Sequence, residues 1–177
     1  MEIKAKGIFD FESIKALSHL QMFGKNDPKK RMRFWSVLFG VLLVLVTGEI
    51  LLFGLDGSLM LMMGCAVLCI ALECFMYFIL PKIQYNSLVK MKDIVNEYVF
   101  TEESMLVSSN GQNYSSQGEI KYSVLVKIYE TSRYLFIFQN KAQAFIVDKN
   151  TIRYGSMEEV RDKIKNQMSG KYILCKY

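Results

Sequence analysis

The sequence predicts an α+β membrane protein: a two-helix transmembrane hairpin, then a small antiparallel β-sheet domain closed by a C-terminal α-helix. Three observations predict it. Two apolar runs, 34–53 and 59–80, contain no Lys or Arg and are separated only by Gly54-Leu55-Asp56-Gly57-Ser58. At 1.5 Å per residue each spans roughly 30 Å, the thickness of a bilayer's hydrocarbon core. Beyond them the chain changes to short β-branched and aromatic stretches broken by turn residues, the texture of strands. Near the C-terminus one amphipathic stripe supplies a helix to cover a sheet face.

These features divide the 177 residues into a cytoplasmic N-terminal strand, helix and basic juxtamembrane segment (1–33), the hairpin (34–80), a connecting amphipathic helix (81–96) and a cytoplasmic β domain with its helix (97–177). Glu2 to Phe9 reads as a short strand, and Asp10 caps a helix through Phe11, Ile14, Leu17, Leu20 and Phe23. Gly24 and Asn26-Asp27-Pro28 end that helix. Positive charge then flanks the hairpin: Lys25, Lys29, Lys30, Arg31 and Arg33 precede it, Lys82, Lys90 and Lys92 follow it, and the connecting loop offers only Asp56. By the positive-inside rule both termini are cytoplasmic. Trp35, Tyr77 and Tyr85 fall where interfacial aromatics belong. Gly40 and Gly48, eight apart, mark a helix face that a second backbone can approach.

In the C-terminal domain, strands are expected at Tyr98 to Phe100, Met105 to Ser108, Tyr114 to Ser116, Ile120 to Tyr129, Tyr134 to Gln139 and Ala144 to Asp148. Asn110-Gly111 is the clearest hairpin turn. Ser156 with Glu159 forms a capping box, and Met157, Val160, Ile164 and Met168 form the apolar stripe of a helix that Gly170 stops. The tail 171–177 carries no assignment.

With these pieces placed, the chain resembles the YcxB-like family of small bacterial membrane proteins. The resemblance is carried by Asp10 to Leu20 with its basic run, the hairpin, Ile128-Tyr129-Glu130-Thr131, Tyr134-Leu135-Phe136-Ile137-Phe138 and Ala144-Phe145-Ile146-Val147-Asp148-Lys149. Family members more often have proline before that lysine, where this chain has Asp148. The resemblance implies a pleckstrin-homology-like domain tethered to the inner face of the bacterial cell membrane. It implies no ligand and no activity.

Several residues carry candidate chemistry. Glu49 and Glu73 stand inside the apolar runs, where a carboxyl costs about 2.5 to 3.5 kcal/mol; their places put them about 24 and 13 Å from the cytoplasmic surface. Different depths argue against a shared-proton pair, and each is expected protonated and hydrogen-bonded across a helix interface. Cys65, Cys69 and Glu73 share one helix side, but no His accompanies them, so small residues at a helix contact are expected rather than a metal. Cys175 and the three membrane cysteines are read as thiols, since a reducing compartment disfavours disulfides. Lys25, Lys29, Lys30, Arg31 and Arg33 serve as a topology signal and an attraction for anionic headgroups. Lys121, Lys127 and Arg133 offer a ligand surface on the sheet.

His19 is the only histidine, expected at the surface or its boundary, and no acid–base, nucleophile or metal-ligand set is recognisable. No glycine-rich phosphate loop is present. The chain is therefore expected to be no enzyme, to need no cofactor and to bind no nucleic acid, the net charge of +5 being modest for that purpose. The reading is a membrane-anchored binding or scaffolding module that meets lipid headgroups and a protein or peptide partner, with homo-oligomerisation an open alternative. The competing reading is a small oligomeric transporter or ion conductor using Glu49 and Glu73.

Overall fold

The computed structural model describes residues 2–24, 26–54, 57–88, 94–141, 143–168 and 170–175. The chain begins in strand β1 (Ile3–Ile8) and helix α1 (Phe11–Phe23), then enters α2 (Pro28–Phe53). Helix α3 (Gly57–Cys74) follows and runs through a π-helical turn, Phe75–Ile79, into α4 (Leu80–Ser87). Strands β2 (Val95–Phe100), β3 (Ser104–Gly111), β4 (Tyr114–Lys121), β5 (Lys127–Glu130), β6 (Tyr134–Phe138) and β7 (Ala144–Arg153) precede α5 (Met157–Gln167) and β8 (Tyr172–Leu174).

The eight strands form one open sheet in the order β4-β3-β2-β1-β7-β6-β5-β8. Every pairing is antiparallel except that of β5 with β8. β1, the first element of the chain, therefore sits inside the sheet, joining the β2–β4 meander to the β5–β7 meander. Alternation explains how it fits: Ile3, Ala5 and Gly7 are buried while Lys4 and Lys6 face out. Gly7 is required by contact, since a Cβ there would stand 1.8 Å from the Ile146 carbonyl oxygen. Past that point the ladder slips by a bulge, and the Thr151 hydroxyl takes up both the amide and the carbonyl of Lys6, at 2.7 and 3.0 Å.

Strand β6 is buried along its whole length. Leu135 and Ile137 face a core with Tyr98, Phe100, Met105 and Ile128, closed by Val160 and Ile164 of α5 and by Met168, which caps it. Tyr134, Phe136 and Phe138 face the opposite way, where Ile14 and Leu20 of α1 cover them with Ile146 and Cys175. Each fully buried side chain of this size contributes about 1.5 to 3 kcal/mol, so β6 is the strand around which both layers settle. The sheet thus has two covering helices, and α1 performs for one face what α5 performs for the other.

The capping expectations hold. Asp10 accepts the Ser13 amide at 2.7 Å, and Ser156 accepts the Glu159 amide at 3.2 Å. Other expectations are corrected. The alternating stretch 120–129 is not one strand: β4 ends at Lys121, Tyr122–Val124 form a 3₁₀ turn, and β5 starts at Lys127. The Tyr122 side chain turns fully inward there, its hydroxyl donating to the Thr101 carbonyl at 3.1 Å, which rewards a corner over a straight strand. The β3–β4 hairpin turns at Gln112 and Asn113, with Gly111 paired to Tyr114, rather than at Asn110-Gly111. The connecting helix ends at Ser87, residues 89–93 lie outside the described ones, and β2 already begins at Val95. The last helix is not terminal, because residues 172–174 return as β8 beside β5.

The two apolar helices differ from core helices. Pro28–Leu52 and Met60–Ser87 are long and apolar enough to cross a membrane. Their apolar side chains face outward, with Val44, Leu45 and Leu51 at 71, 62 and 81% exposure. Apolar surface of that extent needs lipid or another chain to cover it.

Candidate functional site

The residues that join the sheet to the apolar helices are set by a proline. In an α-helix the carbonyl of residue 77 is paired with the N–H of residue 81, but residue 81 is Pro81 and has none. Here the helix widens into its π turn, and His19 of α1 brings its Nε2 to the Tyr77 carbonyl oxygen at 3.1 Å. A carbonyl only accepts, so Nε2 carries the hydrogen. The His19 ring stacks on the Tyr77 ring at 4.5 Å, and Phe11 packs edge-on to Tyr85 at 5.5 Å. His19 is buried, and burial pushes its pKa below the ordinary value, favouring the neutral ring. The expected surface histidine is therefore corrected: it is the contact through which α1 meets the second apolar helix.

Beside this contact lies a cleft of ≈ 420 Å³ between α1, the start of α2 and the turn from β5 to β6. Glu12, Lys15, His19, Lys29, Arg133 and Tyr134 are among the residues lining it. The β5–β6 turn is fixed by Thr131, whose hydroxyl accepts the Tyr134 amide and donates to the Tyr134 carbonyl, both at 3.0 Å. That turn presents Arg133, whose guanidinium lies 5.0 Å from the Tyr134 ring centre and 3.2 Å from Asp148 Oδ2. The Tyr134 hydroxyl is buried with no hydrogen-bond partner, and burial pushes its pKa up to about 12. Asp27, also on the cleft wall, caps α2 by accepting the Lys29 amide at 2.9 Å.

The carboxyls named from the sequence fare differently. Glu73 accepts from Arg31 of α2, Nη2 to Oε1 at 2.9 Å, which supplies the bond across the helix interface that the sequence led us to expect. Among the described residues its Oε2 has no hydrogen-bond partner, and Glu73 lines a 150 Å³ cavity with Trp35, Ser36, Phe39 and Cys69. Glu49 is exposed on the outside of α2. Among the described residues nothing lies within 4 Å of the position of a Cβ on Gly40 or Gly48. Cys65, Cys69, Cys74 and Cys175 are free thiols. Among the described residues no group of three or more His, Cys, Asp or Glu could hold a metal ion.

Of the basic residues, Lys25 lies outside the described ones; Lys30, Arg31 and Arg33 are in the first turns of α2 with Lys29. Lys121, Lys127 and Arg133 are exposed but not brought together. Lys127 opens the β5–β6 hairpin opposite Phe138 and borders a second cleft, of ≈ 630 Å³, with Leu20, Tyr129 and Lys141, whereas Arg133 occupies the hairpin's turn.

One strongly charged centre escaped sequence reasoning. Glu130 is buried, and its carboxylate accepts Lys149 Nζ at 3.0 Å, Arg161 Nη2 at 2.8 Å and Nε at 3.0 Å, and the Tyr172 hydroxyl at 2.5 Å. Burial works to raise its pKa, but hydrogen bonds from Arg161, Tyr172 and Lys149 outweigh it and hold it down to about 2. The cluster ties β5, β7, α5 and β8 together and fills the carboxylate's acceptor positions, which makes it a structural clamp. The available signal was the two-residue period, which puts Glu130 on the same strand face as Ile128. Lys149 also donates to the Thr131 carbonyl at 2.9 Å, which steadies the turn that presents Arg133.

The architecture defines a class: an α+β domain whose sheet is seated through one helix on a pair of long apolar helices. Residues 100–164, from the end of β2 into α5, match the family model of the YcxB-like protein, which bears out the resemblance read from the sequence over that stretch. No curated protein and no solved structure matches the chain.

Proposed function

We propose that the chain is a non-enzymatic, membrane-anchored binding or scaffolding module that presents a pleckstrin-homology-like sheet domain at the inner face of a bacterial cell membrane, with both termini cytoplasmic. The observation that carries this reading is the junction: His19 on the Tyr77 carbonyl and Phe11 on Tyr85 seat the domain directly on the end of the second apolar helix. A site held this way works at an effective concentration in the mM range without high intrinsic affinity. The basic residues in the first turns of α2 and Lys82 on α4 support the cytoplasmic placement. For a protein or peptide partner, β4 is the favoured surface, because it is an end strand of the sheet and an edge accepts an added strand through its backbone.

Crosslinking in native membranes followed by mass spectrometry tests the reading. A recurrent protein partner crosslinked at β4, or at Lys121 or Lys127, supports it; recovery of lipid and copies of this chain alone removes the scaffold. The transport reading is less favoured, because Arg31 already neutralises Glu73 and Glu49 stands alone at another depth. A proton or cation leak in liposomes abolished by Glu49→Gln would reinstate it.

A further inference from the structure

We propose that the cleft at the helix–sheet junction binds the phosphate of one phospholipid headgroup. The proposal rests on the membrane placement given above for its source of ligand, but its test reads lipid on the purified chain and does not depend on any protein partner.

Depth comes first. From the start of the second apolar run at residue 59, Tyr77 lies 18 residues on, about 27 Å at the helical rise, close to the far side of a hydrocarbon core about 30 Å thick. Pro28 and Lys29, on the same cleft wall, precede the first apolar run by a few residues. The cleft therefore opens at the level of headgroups.

Its chemistry suits a multi-oxygen anion. Lys15 from α1, Lys29 from α2 and Arg133 from the β5–β6 turn approach from three different elements. Among the described residues neither lysine is in an ion pair; Lys15 only overlies the Phe11 ring at 5.9 Å. A phosphate has oxygens to share among such donors, and a guanidinium fork can take two of them. Two acids share the wall, Glu12 and Asp27, but the Asp27 carboxylate is engaged as the α2 cap. Ala16, Pro28 and the Tyr77 ring add an apolar side to the cleft, which a glycerol backbone can follow and a free phosphate cannot use.

The second, independent observation is Tyr134. The residue is 5% exposed and lines the cleft, and among the described residues its hydroxyl has no hydrogen-bond partner. A buried hydroxyl without a partner is a standing cost that folds rarely keep. Arg133 lies over that ring, and its half-exposed guanidinium donates through Nε and Nη2 to Asp148 Oδ2 at 3.4 and 3.2 Å. Drawing Arg133 onto a phosphate uncovers the hydroxyl and supplies it with an acceptor, so one movement satisfies both groups.

The test uses the full chain purified in dodecyl maltoside and native mass spectrometry, with dioleoyl phosphatidylglycerol, dioleoylglycerol, glycerol 3-phosphate and inorganic phosphate as probes. The expected result is one retained phosphatidylglycerol per chain, no retained dioleoylglycerol, and no displacement by either soluble phosphate. Arg133→Gln and Tyr134→Phe each weaken retention about tenfold, the loss of one hydrogen bond to a charged group, with Tyr134→Phe keeping the wild-type unfolding temperature or raising it. Lys15→Gln, at a half-buried position that belongs to neither core, weakens retention likewise, whereas Lys30→Gln, outside the cleft, leaves it unchanged. Equal retention in wild type, Lys15→Gln and Tyr134→Phe overturns the proposal, as does equal retention of dioleoylglycerol. Displacement of the lipid by glycerol 3-phosphate or phosphate overturns the lipid assignment and gives the cleft to a soluble phosphate compound.

Discussion

Glu130 and Glu73 each face an arginine, yet the two regions that hold them are built on opposite terms. Around Glu130 every acceptor position is filled, by Lys149, Arg161 and Tyr172, and the surrounding sheet is closed by helices on both faces. Around Glu73 one oxygen meets Arg31 and the other has no hydrogen-bond partner among the described residues, and the two apolar helices turn their leucines outward. The sheet region is complete within one chain, while the helix pair is complete only with surroundings. A carboxylate tells the two apart: in the first its neighbours specify a fold, in the second they leave an interface open.

The sharpest way to break this contrast compares two glycines. Gly7→Ala forces a methyl onto the Ile146 carbonyl, which the closed sheet has no room to yield. A loss of roughly 4 kcal/mol or more is expected, read as collapsed hydrogen-exchange protection of β1 and β7. Gly40→Ala meets nothing, and unfolding in detergent should shift by no more than about 1 kcal/mol, in the stabilising direction of helix propensity.

Next in size is the clamp. Glu130→Gln leaves Arg161 and Lys149 facing a neutral amide and should cost about 3 kcal/mol in urea unfolding of the full chain. The same residue sets an acid limit. Because its pKa falls from 4.5 unfolded to about 2 folded, its stabilisation is complete above the ordinary carboxylate range and is lost as pH falls from about 4.5 toward 2. Stability measured across that window should decline in the wild type with a slope that Glu130→Gln lacks.

The junction is intermediate. His19→Ala removes the donor to Tyr77 and should cost about 1 to 2 kcal/mol, seen as faster proteolysis within α1 while the β6 core stays protected. Burial lowers the His19 pKa below 6.5, so its share of stability is whole above that value and drains as pH falls below it. The variant's proteolysis rate should not respond to acidification over that range.

The smallest effect belongs to the open region. Glu73→Gln keeps the shape and loses a pair whose arginine is 41% exposed; a stability change on the order of 1 kcal/mol or less is expected, with membrane insertion unchanged. A loss comparable to that of Glu130→Gln would show the helix pair to be as self-contained as the sheet.

Local patterns set much of this molecule without help from the fold. The two apolar helices follow from runs of sufficient length without Lys or Arg, the caps at Asp10 and Ser156 from short side chains that accept amides, β1 from its alternation, and β6 and β7 from their aromatic and β-branched residues. All of these depend on neighbours a few positions away, which a sequence displays directly. What only the tertiary structure decided are the meetings across long separations: β1 between β2 and β7, α1 on the second sheet face, β8 beside β5, Glu130 among Lys149, Arg161 and Tyr172, and His19 on Tyr77. The sequence held hints of the last two, the two-residue period that puts Glu130 on the face of Ile128 and a Pro81 that leaves a carbonyl short of a donor. A hint names one partner of a contact, and its energy depends on the other partner, which only the packed chain brings within reach.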